Sequence, residues 1–181
     1  MLFEFNVKMT DDDYFKFNEF WLIRSHYGRS QMVKMRILFT VVSIIACIFY
    51  WITDGTTGNL FILVGIDIFF LALLQIFFGK FMALCLKQQI KTLKKKGKMG
   101  YPPESLIQFN DDVIVETTPT EKTERSYSSL ERVSVIGDKT LYIHFNNVMA
   151  AILPSTAFVS EEQYESFLAF IKTKCENIDV Y

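Results

Sequence analysis

The residues with the greatest potential for chemistry lie within otherwise apolar stretches of the chain. Asp67 stands near the middle of the apolar run at residues 60–78, and Gln75 follows it two helical turns later, close to the same face. Ser43 lies in an earlier apolar run, where an antiparallel span would bring it to a similar depth. A central intramembrane acid costs about 3 kcal/mol on insertion scales, so it usually faces protein, water or a partner. We therefore predict an intramembrane polar contact that involves Asp67, Gln75 and Ser43.

Three interpretations of Asp67 are open. A protonated Asp67, bonded to Ser43 or to a backbone carbonyl, would hold the two spans together. Asp67 would instead pair two copies of the protein, or bind a basic span of another membrane protein, if it faced outwards. In the third interpretation it relays protons or binds an ion, which two spans could do only in an oligomer.

The other polar residues indicate no catalytic centre. The three cysteines are far apart and lack metal-ligand spacing, and no phosphate-binding loop, dinucleotide fingerprint or nucleophile elbow occurs. His26 stands at the end of the first predicted helix. His144 alternates with apolar residues in LYIHF, so we expect it on the opposite strand face, paired to a neighbour. The sequence predicts no catalytic, cofactor or metal site, and no enzyme.

Two apolar runs have the length of membrane spans. Residues 37–52 and 60–78 are almost entirely apolar, and a span needs about 20 such residues. The short connection TDGTTGN between them predicts a helical hairpin. The alternative, two buried helices of a soluble protein, would require a larger domain around them. Half of the 181 residues are hydrophobic and the net charge is −1, which does not favour nucleic-acid binding.

The distribution of basic residues predicts the orientation of the hairpin. The connection has no Lys or Arg, whereas the segments before and after the spans are basic, so both termini should be cytoplasmic. The second span should continue as a helix to near Gly97. Its lysines can attract anionic lipid headgroups, with about 1 kcal/mol per basic residue near the surface. The predicted headgroup contacts are Lys87, Lys91, Lys94, Lys95, Lys96 and Lys98. The simpler alternative is a solvated face that only sets topology.

Alternating residues predict a strand at the N-terminus. Phe3, Phe5 and Val7 share one face, and Thr10 with Asp13 resembles a capping box that opens a helix. A single strand is not stable alone, so we expect it to join the sheet of the C-terminal segment.

Residues 101–181 have the pattern of a small α+β domain. Six short strands are predicted at 105–110, 113–118, 123–127, 132–136, 140–145 and 148–153. Ser160 and Gln163 then open an amphipathic helix. A meander closed by one helix is similar to a pleckstrin-homology-like (PH-like) architecture. The segment has 13 acidic and 6 basic residues, which does not favour binding of nucleic acid or anionic lipid by this domain.

The predicted fold class is thus an α+β membrane protein: a transmembrane hairpin plus a small cytoplasmic antiparallel sheet domain closed by a C-terminal helix. The predicted segments are an N-terminal strand and amphipathic helix at 1–33, a transmembrane helix at 34–53, an extracytoplasmic turn at 54–59, a second transmembrane helix at 60–79, a basic juxtamembrane helix at 80–100 and a β-rich cytoplasmic domain at 101–181.

Several motifs of the second half occur in a known family. ERSYSSLERV, LYIHFNN, AAILPSTAF and VSEEQYESF follow one another here, after two spans and a basic stretch. This order resembles the YcxB-like family of bacterial membrane proteins. The family commonly has a basic residue after the proline, where this chain has Ser155. The resemblance implies a location in the cytoplasmic membrane and supplies no catalytic residues.

These observations predict a non-enzymatic, membrane-anchored interaction or regulatory module. Its expected partners are the lipid bilayer and either a second copy of the chain or another membrane protein, with no nucleic acid and no cofactor. The alternative is an oligomeric transport or channel component that uses Asp67 and Gln75. A third hypothesis, a membrane-tethered enzyme, would require a ligand pocket that contains His144.

Overall fold

A computed structural model describes residues 2–54, 57–137, 139–146 and 149–181 of the chain. The helices are α1 (Asp11–Arg24), α2 (His26–Asp54), α3 (Thr57–Lys95) and α4 (Glu161–Lys174). The strands are β1 (Phe3–Lys8), β2 (Glu104–Phe109), β3 (Val113–Thr117), β4 (Lys122–Ser126), β5 (Arg132–Ile136), β6 (Thr140–His144), β7 (Ala150–Leu153) and β8 (Ile178–Val180). Residues 55 and 56 of the predicted turn, and residue 148 of the sixth predicted strand, lie outside the described residues.

The chain divides into two compact units, and the fold class is α+β. Residues 1–17 and 93–181 form the first unit, which holds all the strands, and residues 18–92 form the second. The strands make two four-stranded sheets, in the orders β1-β2-β3-β4 and β7-β6-β5-β8. Every described pair is antiparallel except β5 with β8.

The N-terminal strand joins the C-terminal sheet, as predicted. β1 pairs with β2 over its full length, with Phe3 opposite Phe109 and Lys8 opposite Glu104. Phe5 and Val7 are buried, whereas Glu4, Asn6 and Lys8 are exposed. The two-residue period of the sequence therefore reflects a strand with one face on the core.

The six-strand meander was only partly correct. β4 reads KTERS, without an apolar residue, and it ends the first sheet as a charged edge. A 3-10 turn at Tyr127–Ser129 then leads into the second sheet at β5. β8 was not predicted, because three residues after a helix carry too little periodicity. It pairs with β5 in parallel, with Val133 opposite Ile178.

One aromatic-rich core joins both sheets to α4. Tyr164, Phe167 and Ile171 of α4 are buried, at the helical spacing seen in the sequence. The Phe167 ring lies 4.8 Å from that of Phe5 and 4.7 Å from that of Phe109, in edge-to-face geometry. Core residues of the second sheet belong to the same cluster. The closing helix predicted for the domain is therefore present.

Both predicted caps hold the helix starts of this unit. The Asp13 amide donates to Thr10 Oγ1 at 3.1 Å and the Thr10 amide donates to Asp13 Oδ2 at 3.0 Å, which completes a capping box. At α4 the Gln163 amide donates to Ser160 Oγ, but Gln163 Oε1 accepts from the Val159 amide instead of that of Ser160. In the second cap the Gln163 side chain therefore binds the amide of the residue before the N-cap.

In the second unit α2 begins at His26, eight residues before the predicted span. Ser25 interrupts the helix, and its hydroxyl accepts from the Gly28 amide at 2.9 Å. A Cβ atom at Gly28 would lie 2.3 Å from the Trp21 carbonyl oxygen, so glycine permits this close approach. The N-terminal helix and the first span are thus joined by a single break.

α3 is one continuous helix of 39 residues, as expected for a span that continues beyond the apolar run. It stops in a Schellman motif, in which Lys98 donates to the Leu93 carbonyl and Gly97 to that of Lys94, both at 3.0 Å. Gly97 has φ +66°, a conformation that favours glycine.

Two helical stretches, Tyr27–Thr53 and Phe61–Lys95, are long and apolar enough to cross a membrane. In their most apolar windows 0% and 6% of the residues are buried, so their side chains do not form the interior of a soluble domain.

Candidate functional site

Asp67 accepts hydrogen bonds from the neighbouring helix of the hairpin. Ser43 Oγ donates to Oδ1, and Cys47 Sγ donates to Oδ2 over 3.7 Å. Ser43 and Cys47 are four residues apart, so they share one face of α2 and reach both oxygens of the carboxyl group. All three side chains are half-buried. The structure thus brings together two of the three predicted residues in a contact within the chain.

Cys47 was missed as a partner of Asp67. The signal was its position one helical turn after Ser43, on the same face of the first span. A thiol is a weak donor, so this bond adds less than the hydroxyl does.

Gln75 does not join this contact. It lies eight residues beyond Asp67 on α3, which corresponds to about 12 Å along the helix axis and about 80° of rotation. A rotation of this size leaves both side chains on one broad helix face, so the expectation that they lie close to one face stays a prediction. Gln75 is half-buried at a separate level of the hairpin.

The predicted headgroup lysines are all exposed. Lys87, Lys91, Lys94, Lys95, Lys96 and Lys98 lie on α3 or directly after it. The Lys94 ammonium group lies 2.5 Å from Asp11 Oδ2 at the start of α1. That lysine contributes to a contact within the protein as well as to the basic surface.

The Asp11–Lys94 pair belongs to a small polar cluster. The Tyr101 hydroxyl donates to Asp11 Oδ1 at 2.5 Å, and its ring lies 4.9 Å from that of Tyr14. The hydrogen bonds from Lys94 and Tyr101 hold the pKa of Asp11 below its ordinary value. Burial, with Asp11 as a second cause, raises the pKa of Tyr101 to about 12. The cluster joins the first turn of α1 to the last turn of α3.

His144 is enclosed in the second sheet. Its Nε2 lies 3.3 Å from the Ser134 hydroxyl and the residue is 3% exposed, so it is paired to a neighbour as predicted. Leu141 and Ile143 face the central core, whereas Tyr142 and His144 lie beside the Phe17 ring of α1. Both strand faces are buried because α1 covers the outer one.

The surroundings of His144 keep its imidazole neutral. Burial, with the positive charge of Arg132 as a second cause, lowers its pKa to about 4, and the negative charge of Asp179 opposes this shift. Arg132 Nε lies 3.8 Å from Asp179 Oδ2. In the described part of the chain, no group of three or more His, Cys, Asp or Glu residues could hold a metal ion.

The comparisons with known proteins agree with the resemblance noted in the sequence. Residues 109–171, about a third of the chain, match the family model described as YcxB-like protein. The match runs from the end of β2 through most of α4. Comparison with curated proteins and with solved structures gives no significant match.

Proposed function

We propose that this chain, as a protein with a YcxB-like domain, is a membrane-anchored interaction or regulatory module without enzymatic activity. In this proposal α2 and α3 span the cell membrane and hold the sheet domain at its cytoplasmic surface. The observation that carries the proposal is the exposure of two long apolar helices in a chain whose sheet domain has a hydrophobic core of its own.

The pairing of β1 with β2 supports an even number of spans. β1 precedes α2 and β2 follows α3, yet the two strands pair over six residues. Chain segments that share one sheet must lie on the same side of a membrane. Two spans between them satisfy this condition, and the basic residues on that side favour the cytoplasm.

The sheet domain has features of a scaffold. Two sheets closed by one helix support the PH-like analogy, which concerns fold alone. Its one histidine is enclosed and paired, as expected for a structural residue. The acidic surface of residues 101–181 favours a protein partner over anionic lipid or nucleic acid.

Labelling of single cysteines in intact cells tests the topology. The three natural cysteines are replaced by alanine, and Thr57→Cys and Glu121→Cys are made separately. A membrane-impermeant thiol reagent should label the cysteine at position 57 in intact cells, and that at position 121 only after permeabilisation. Labelling of position 121 in intact cells would contradict the proposal.

Cross-linking in the native membrane tests the role of Asp67. Because Asp67 is bonded within the hairpin, Asp67→Leu should leave the cross-linked neighbours unchanged, as judged by mass spectrometry. Loss of a link to a second copy or to another protein would show that Asp67 is an intermolecular contact.

Transport or channel activity by an oligomer is the second candidate. The observation in its favour is that Asp67 lines both of the apolar grooves described along the hairpin. If this candidate is correct, Asp67→Asn changes proton or ion flux in vesicles that contain the purified protein. Equal flux with wild type and Asp67→Asn would remove it.

A further inference from the structure

One of these grooves, the lower groove, runs along the hairpin at the end away from the connection between α2 and α3. It has a volume of about 510 Å³ and is open to the surroundings. Its wall is almost wholly apolar, apart from Ser43 and Asp67 at one end. The lining residues used here are Phe39, Ser43, Asp67, Leu74, Phe77 and Phe81.

The lower groove is long enough to cross the hydrocarbon of one leaflet of a bilayer. From Asp67 to Phe81 the helix rises about 21 Å, whereas half of the hydrocarbon core is about 15 Å thick. The groove therefore extends from the level of Asp67 to the boundary of the membrane on the side of the termini. An acyl chain has the shape and chemistry to lie in it.

Two basic residues stand at the boundary end. Arg36 directly precedes the apolar run at 37–52, and Lys80 follows the run at 60–78, so antiparallel helices place both at one boundary. The Arg36 guanidinium carbon lies 5.2 Å from the centre of the Phe78 ring. The Lys80 ammonium lies 5.9 Å from the centre of the Phe77 ring, which lines the groove.

The Arg36 side chain has an unused donor. Its Nε is buried and has no hydrogen-bond partner among the described residues. In the same part of the chain neither Arg36 nor Lys80 forms an ion pair. A buried N–H group without an acceptor is costly. Because Nε itself is enclosed, a phosphate oxygen would accept from the terminal nitrogens of the guanidinium group.

We propose that the lower groove binds one anionic phospholipid of the leaflet on the side of the termini. The acyl chain lies between α2 and α3, and the phosphate accepts from Arg36 and Lys80. Two unpaired cations favour a headgroup with net negative charge over a zwitterionic one. The site is distinct from the exposed lysines beyond Lys80, and it rests on the membrane placement proposed above.

Retention of lipid by the purified full chain tests this site. The protein is reconstituted in a mixture of phosphatidylglycerol and phosphatidylcholine, extracted in mild detergent and examined by native mass spectrometry. Wild type should retain one phosphatidylglycerol. Arg36→Gln with Lys80→Gln should reduce the retained fraction at least tenfold. The matched control, Lys91→Gln with Lys95→Gln, removes two charges outside the groove and should retain the lipid.

A second variant tests the groove without changing charge. Leu74→Trp fills its wall and should also displace the lipid, while far-ultraviolet circular dichroism shows that the helices persist. Equal retention by wild type and Arg36→Gln/Lys80→Gln would overturn the site, as would equal loss in the lysine control. Release of wild type from membranes by alkaline carbonate would refute the membrane placement itself. An integral wild type that retains no anionic lipid would refute the lipid site alone.

Discussion

The contact between Ser43 and Asp67 should contribute measurably to the stability of the hairpin. Hydrogen bonds between membrane helices average about 0.6 kcal/mol and reach about 1.7 kcal/mol in double-mutant cycles. Asp67 accepts from two side chains, and the hydroxyl is the stronger donor. We expect a coupling free energy of about 1 kcal/mol between Ser43→Ala and Asp67→Leu. The coupling of Cys47→Ala with Asp67→Leu should be smaller.

The assay is reversible unfolding of the purified protein in mixed micelles, with helix separation followed by energy transfer between dyes on the two spans. Thr40→Val is the matched control, because the Thr40 hydroxyl donates to the Arg36 carbonyl of its own helix. This variant should show no coupling with Asp67→Leu. A coupling below about 0.2 kcal/mol for Ser43, or an equal coupling for Thr40, would refute the reasoning, since measured bonds average about 0.6 kcal/mol.

Three further predictions concern the sheet domain and the end of α3. Phe167→Ala should lower the free energy of unfolding by about 3–5 kcal/mol, because its ring is fully buried, whereas Val159→Ala, at a 91% exposed site, should have little effect in the same denaturant titration. His144 has a pKa lowered to about 4, so the free energy of unfolding should have its full value above pH 6.5 and fall by up to about 3 kcal/mol as the pH drops towards 4. In denaturant titrations across this range, His144→Gln should flatten the dependence of the free energy of unfolding on pH. An unchanged slope would contradict this prediction. Gly97→Ala should destabilise the end of α3 by about 1 kcal/mol, because residue 97 has a positive φ that favours glycine. Hydrogen exchange should show faster opening of the last turn of α3 in this variant than in wild type.

Local patterns in the sequence predicted a structural element correctly where one physical cause determined it. The alternation at Phe3, Phe5 and Val7 predicted β1, since one face of that strand is buried. The capping pair Thr10 and Asp13 located the start of α1, and the uninterrupted pattern up to Gly97 predicted the length of α3.

Features that no local pattern indicates arise where distant segments meet. β8 is short and depends on a parallel neighbour far away in the sequence, so no local period indicates it. The burial of His144 depends on Phe17, which is contributed by a helix more than a hundred residues earlier.

The pairing of β1 with β2 also constrains the order in which the chain folds during synthesis. β1 is synthesised first, but its partner follows almost a hundred residues later, after both apolar helices have left the ribosome. Until then the paired edge of β1 has no neighbour, a state that favours incorrect pairing with other chains. Completion of this sheet must therefore follow synthesis of both helices. In the membrane placement proposed above, slow insertion of either helix would delay folding of the whole domain.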